Sequence, residues 1–208
     1  METKEINSCM MLAINLDCPV SLKALFDEAD LKDTGVELDS HITLLYARGV
    51  EIPRKGLMSD VQDILGIENY DDLMSRIHKS DEKNVFDYFD LGTFENDSDY
   101  LVLKLKPETQ ISSWLSDINA GLRKKYGVAS DFADYTPHIS LAELQPGTAS
   151  KYLESETVKL VLRDTVVSLE DFMVSYGTAN EVVDRKQYFL TGFHSVDRYF
   201  RLQYLRSE

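Results

Sequence analysis

The chain has 208 residues, 43% hydrophobic and 28% charged, proportions that fit a folded globular protein and exclude a disordered one. Lys and Arg number 22 against 36 Asp and Glu, a formal net charge of −14; such a field repels a polyanion and works against tight, sequence-independent binding to long DNA or RNA. At this length a single domain, 1–208, built as two lobes, is expected. Cys9 and Cys18 are too few for a disulfide framework and read as core thiols of a reducing compartment.

Met1 to Glu5 mixes acid and base, and the apolar stretch behind it is interrupted by Asn15. Residues 9–16 therefore read as a strand and not as a signal peptide. No stretch approaches the roughly 18 consecutive apolar residues that span a bilayer, so a soluble, cytoplasmic protein without a membrane partner is expected. Pro19 suits the first turn of a helix, and Leu22, Leu25, Phe26 and Leu31 fall at helical spacings up to a turn at Asp33, Thr34 and Gly35. His41, Ile42, Thr43, Leu44, Leu45 and Tyr46 form a second strand.

After a break from Pro53 to Gly56, Leu57, Val61, Ile64 and Leu65 indicate a helix, with a further helical piece over 71–78. The stretch 54–84 thus reads as an additional helical segment with no assigned role. Residues 85–94 read as a strand ending in Leu91, Gly92, Thr93 and Phe94, 96–99 as a turn, and 100–106 as a strand stopped by Pro107. An amphipathic helix over about 108–126 carries Ile111, Trp114, Leu115, Ile118 and Leu122 on one face and ends at Gly127. Further strands are expected at 138–141, 166–176 and 187–192.

Residues of about 9–46 and 100–144 repeat one plan: apolar strand, amphipathic helix, turn, then a strand carrying His-Ile-Thr-Leu or His-Ile-Ser-Leu. The interval from His41 to His138 equals that from Thr43 to Ser140. Such a repeat of architecture yields two lobes facing each other across a cleft. In a strand, residues i and i+2 share a face, so His41 projects beside Thr43 and His138 beside Ser140. Two imidazoles with two hydroxyls, and no Cys or carboxylate at metal-ligand spacing, fit in-line displacement at a phosphodiester. One neutral His takes the proton of the attacking oxygen and the other, protonated, gives one to the leaving oxygen. The hydroxyls donate to the non-bridging oxygens, and no metal or other cofactor is needed.

At these residues the chain resembles the two-histidine (2H) phosphoesterases, whose signature is a pair of His-x-(Thr or Ser)-hydrophobic tetrapeptides. Tyr135-Thr136-Pro137-His138-Ile139-Ser140-Leu141 looks like the second motif and Asp39-Ser40-His41-Ile42-Thr43-Leu44 like the first. Leu91 to Phe94 and the run from Val167 to Tyr176 also look like family landmarks. The resemblance implies an α/β fold of the α+β type, with pseudo-symmetric lobes, antiparallel sheets lining a central cleft, and helices outside. It also implies metal-independent hydrolysis or ligation of 2′-linked or cyclic phosphates.

A phosphodiesterase acting on a cyclic nucleotide or a cyclic or short oligonucleotide is therefore expected. Within the family this chemistry serves phage anti-CBASS enzymes that destroy cyclic-oligonucleotide immune signals, RNA-end 2′,3′-cyclic phosphodiesterases and 2′,5′-oligoadenylate-degrading enzymes. The acidic surface favours the first. A nucleotide-binding module that kept the fold, or a hydrolase using the histidines as metal ligands, is the alternative from another class. For substrate binding, Tyr135 and Tyr176 are candidates to stack on a base and Arg48 to steer phosphate. Trp114 reads as core, and His78 and His194 as surface or structural. Tyr46 falls on the face opposite His41 unless a bulge intervenes.

Overall fold

His-Ile-Thr-Leu and His-Ile-Ser-Leu each alternate polar with apolar residues, and each folds as a strand with one face in the core. Ile42 and Ile139 are fully buried, while His41, Thr43, His138 and Ser140 are half-buried on the other face. The computed structural model describes residues 6–53, 56–68, 83–95, 97–129, 134–178 and 181–189.

The strands are β1 (Ile6–Asp17), β2 (Leu31–Val36), β3 (His41–Ala47), β4 (Lys83–Asn84), β5 (Phe89–Glu95), β6 (Asp99–Leu105), β7 (His138–Leu144), β8 (Val166–Thr178) and β9 (Glu181–Phe189). They form one nine-stranded sheet in the order β4-β8-β1-β3-β7-β6-β5, with β2 on β7 and β9 on β8. The helices are α1 (Leu57–Leu65), α2 (Val85–Tyr88), α3 (Gln110–Tyr126), α4 (Ala149–Leu153) and α5 (Glu156–Arg163). The fold is thus mixed α+β, a large antiparallel sheet with few helices. Among the described residues no helix is long and apolar enough to cross a membrane.

The two halves match pair for pair. In the first, β1 meets β3 as Ser8↔Ala47, Cys9↔Tyr46 and Met10↔Leu45, then, past a bulge, Met11↔Thr43, Leu12↔Ile42 and Ala13↔His41. In the second, β6 meets β7 as Asp99↔Leu144, Tyr100↔Glu143 and Leu101↔Ala142, then, past a bulge at the same place, Val102↔Ser140, Leu103↔Ile139 and Lys104↔His138. Leu44 and Leu141 are the extra residues. A bulge reverses the alternation beyond it, which is why Leu44 with Leu45, and Leu141 with Ala142, are buried in succession.

The halves join through a single bridge, Ile42↔Ile139. Beyond it β3 and β7 part, and β2 takes over the same edge of β7 at Leu31↔Leu144 and Val36↔Ala142. The gap between the diverging strands is closed behind by α3. Its Ile111, Leu115, Ile118 and Leu122 are buried, Trp114 packs against the same core, and Asn119 Nδ2 donates to Leu44 O at 2.6 Å. Thr109 caps the helix by accepting from Ser112 N, and Gly127, at φ 68°, ends it. Across α1 and α3, Asp60 receives both Lys125 Nζ and Tyr126 OH.

Several expectations are corrected. No helix follows Pro19; two 3₁₀ turns, Leu22–Leu25 and Glu28–Asp30, lead directly into β2. Asp27, Asp30 and Asp33 are poor helix formers. Tyr152 OH binds Asp27 N and Asp30 Oδ2, and Leu31 and Val36 are drawn into pairing with β7. The expected turn at Asp33 to Gly35 lies within β2, so the strand-helix-strand plan holds in the second half only. Residues 85–88 form the short α2 rather than the start of a strand, because Asn84 Oδ1 accepts from Phe86 N at 2.9 Å. Helices α4 and α5 were not anticipated, and β9 begins at Glu181, ahead of the expected 187–192. The helical piece at 71–78, with His78, lies outside the described residues, as do 190–192 and His194.

Candidate active site

The bridge Ile42↔Ile139 places the four motif residues on the face of the sheet away from the core. Its antiparallel register brings Thr43 opposite His138 and His41 opposite Ser140, so each imidazole faces the hydroxyl of the other half. Positions i and i+2 lie about 7 Å apart along a strand.

Both rings are held alike. His41 Nδ1 lies 2.7 Å from Asp39 O, and His138 Nδ1 lies 2.8 Å from Thr136 O. A carbonyl only accepts, so Nδ1 carries a proton in both rings and Nε2 is left to take or give one. The two contacts, each to the carbonyl two residues back, repeat the pseudo-symmetry at the level of the tautomer.

The strands open onto a cleft of about 780 Å³, walled by Thr43, His138 and Ser140 together with Tyr46, Arg48 and Tyr135, among others. His41 does not itself wall this cavity. It joins the group through the register, and its charge disfavours protonation of His138. The bulge at Leu44 brings Tyr46 to the cleft, correcting its expected place on the opposite face; the residue is 45% exposed. Arg48 lies over the Tyr46 ring, 5.7 Å from its centroid, within cation–π reach.

Tyr135 lines the cleft, but its hydroxyl is committed, donating to Thr43 O at 2.9 Å. Burial pushes that phenol well above its usual range. The bond ties the segment before β7 to β3, and Tyr135→Phe is expected to lower stability by roughly 1 kcal/mol. An unchanged thermal midpoint would show that the bond holds nothing in place. Tyr176 pairs with Ser8 in β8, but its side chain lies outside the described part.

Beside Thr43, on β1, lies Cys9. Burial pushes its thiol up to about 11, partly offset by a hydrogen bond with Thr43, so it is uncharged at neutral pH and unsuited to act as a nucleophile. Among the described residues no three His, Cys, Asp or Glu side chains come together as a metal-binding group.

Sequence reasoning missed several neighbours. Lys104 pairs with His138 across β6 and β7, and its Nζ donates to Thr93 O at 2.7 Å and lies 4.3 Å from the Phe94 ring centroid. Phe94 meets His138 edge-on, with centroids 4.8 Å apart. Arg123 lines the cleft from α3, and Ser98 and Tyr100 both donate to Glu143 Oε1, at 2.8 and 3.1 Å. The signal available for Lys104 was its place in an apolar strand, where Tyr100, Val102 and Lys104 share a face; that its neighbour is His138 requires the register.

No family model matches the chain, and no curated protein matches it in sequence. Among solved structures it is similar to Usb1 from Kluyveromyces marxianus. The identity is 13%, over 83% of this chain and 94% of that one, with a TM-score of 0.37. It is also similar to the same yeast protein's structure with uridine monophosphate, at 10% identity over 86% of this chain and 96% of that one, again with a TM-score of 0.37.

Proposed function

We propose that the chain is a metal-independent phosphodiesterase of the two-histidine kind, acting on a small cyclic nucleotide or a cyclic or short oligonucleotide. His41 and His138 are its general acid and base, and Thr43 and Ser140 donate to the phosphate. The observation that carries this reading is the duplicated strand pairing, bulge included, joined at Ile42↔Ile139, so that two imidazoles of the same tautomer share one face, each across from a hydroxyl of the other half. A pure binding module has no use for a matched proton donor and acceptor.

One neutral Nε2 takes the proton of the attacking water as its oxygen bonds to phosphorus. The other imidazole, protonated, gives its Nε2 proton to the leaving oxygen as that bond breaks. The two hydroxyls donate to the non-bridging oxygens, whose charge the transition state redistributes.

A cleft of about 780 Å³ is within the range of small-ligand sites, and the net charge of −14 favours a short substrate over long RNA. On that ground a cyclic oligonucleotide, such as an immune signalling nucleotide, is the leading substrate, ahead of RNA-end 2′,3′-cyclic phosphates and 2′,5′-oligoadenylates. Tyr46 and Tyr135 offer rings to a base, and Arg48 a cation to phosphate.

The test is a panel of cyclic di- and trinucleotides, 2′,3′-cyclic mononucleotides and 2′,5′-oligoadenylates, incubated with the protein in chelator and resolved by chromatography. At least one is hydrolysed, at a rate unchanged by chelation. Activity lost in chelator and restored by zinc or manganese would place the protein among metal-dependent hydrolases. Binding without turnover across the panel would make it a nucleotide-binding module.

A further inference from the structure

The two halves share one register, but the residues that face the two histidines differ in charge. Ala13 faces His41 across β1 and β3, whereas Lys104 faces His138 across β6 and β7. An alanine has no charge to offer, while the lysine sets a cation next to one imidazole of the pair.

The lysine is held there. Its Nζ donates to Thr93 O and rests over the Phe94 ring, and that ring makes a T-shaped contact with His138. Its aliphatic chain lies across Gly92, where a Cβ would come within 3.1 Å of both Cδ and Cε. A Cβ at 92 would make the lysine give by a few tenths of an ångström. Gly92 and Phe94, on the strand next to β6, thus form a seat for Lys104.

We propose that Lys104 adds to the burial of His138 in making the two histidines inequivalent, so that His138 is the proton acceptor of the pair and His41 the proton donor. This rests on the phosphodiesterase reading above. Lys104 acts through His138 and is a positioning residue. A fixed cation near an imidazole disfavours its charged form, and a low-dielectric surrounding does the same. Burial is the larger influence on His138 and, with the charges of His41 and Lys104, lowers its affinity for a proton; the bond to Thr136 O opposes them. Lys104 from β6 and the Phe94 ring from β5 face His138, the charge of His41 acts on it from β3, and Arg48, Arg123, Glu95, Asp97 and Asp134 line the same cavity.

The direction of proton transfer follows. His138, neutral near pH 7, takes the proton of water at Nε2, and His41 delivers one to the leaving oxygen.

The experiment is an NMR titration of the imidazole resonances in the ligand-free protein, assigned through His41→Ala and His138→Ala, for wild type, Lys104→Met, Lys104→Gln and Lys104→Arg. The His138 midpoint is expected to rise in Lys104→Met and to return in Lys104→Arg. Lys104→Gln, neutral but polar, also raises the midpoint and serves if Lys104→Met does not fold. With the best substrate, the acid limb of kcat/KM moves to higher pH in Lys104→Met, so activity is lost at acid pH and kept at alkaline pH. A His138 midpoint that stays or falls in Lys104→Met overturns the proposal. So does a rise in KM with the acid limb unmoved, which would make Lys104 a phosphate anchor. Because the titration needs no substrate, its result is separate from failure of the wild-type protein to hydrolyse any phosphodiester, which would overturn the functional reading itself.

Discussion

Replacing His41 or His138 by alanine is expected to lower turnover on the best substrate by at least about 10²-fold, the low end for losing a general acid or base. The fold should survive, because each imidazole is half-buried on the cleft face and its described hydrogen bond is to a carbonyl two residues back. The buried partners that hold the strands, Ile42, Leu12, Ile139 and Leu103, are untouched. Circular dichroism and the thermal midpoint check the fold, and single-turnover kinetics the chemistry. A folded variant with a near-wild-type rate would end the two-histidine mechanism for this chain. The two losses should also fail to add, since acid and base act in one transition state.

Next in size is the effect of removing the hydroxyls. Thr43→Val keeps the shape of its side chain and Ser140→Ala changes little volume, so each tests the O–H alone. Loss of one donor to a charged transition-state oxygen costs on the order of 10²-fold in kcat, and KM should change less, because the interaction strengthens on the way to the transition state. Thr43→Val also takes from the Cys9 thiol a hydrogen-bond partner, a small structural cost that a stability measurement on the same variant isolates. If both variants raise KM and leave kcat alone, the hydroxyls contribute uniform binding and their role as transition-state donors is withdrawn.

What was legible in the sequence is what depends on neighbours along the chain. The alternation in His-Ile-Thr-Leu and His-Ile-Ser-Leu identified both motif strands and the face their polar residues share, and the apolar stripe of residues 111–122 identified α3. Three things were not legible because they depend on pairing partners far away. The segment after Pro19 has helical spacing, yet Leu31 and Val36 pair with Leu144 and Ala142, and only the assembled sheet shows the demand for a strand there. Tyr46 obeys the alternation of a regular strand until the bulge at Leu44 reverses it, and nothing in the composition of that run marks the extra residue. Lys104 is one basic residue among several until the β6–β7 register sets it beside His138. The repeat of architecture was real but misdrawn: it lies in the strand pairs and their bulges, not in a helix common to both halves.

The central claim is that two histidines, related by the repeat, transfer protons in opposite senses during phosphodiester hydrolysis. The most direct test is the pH dependence of kcat/KM on the best substrate in chelator. The account predicts a bell, rising as the acceptor imidazole loses its proton and falling as the donor loses its own, with His138→Ala abolishing the acid limb and His41→Ala the alkaline one. A flat profile, or a bell that persists in either alanine variant, would contradict it.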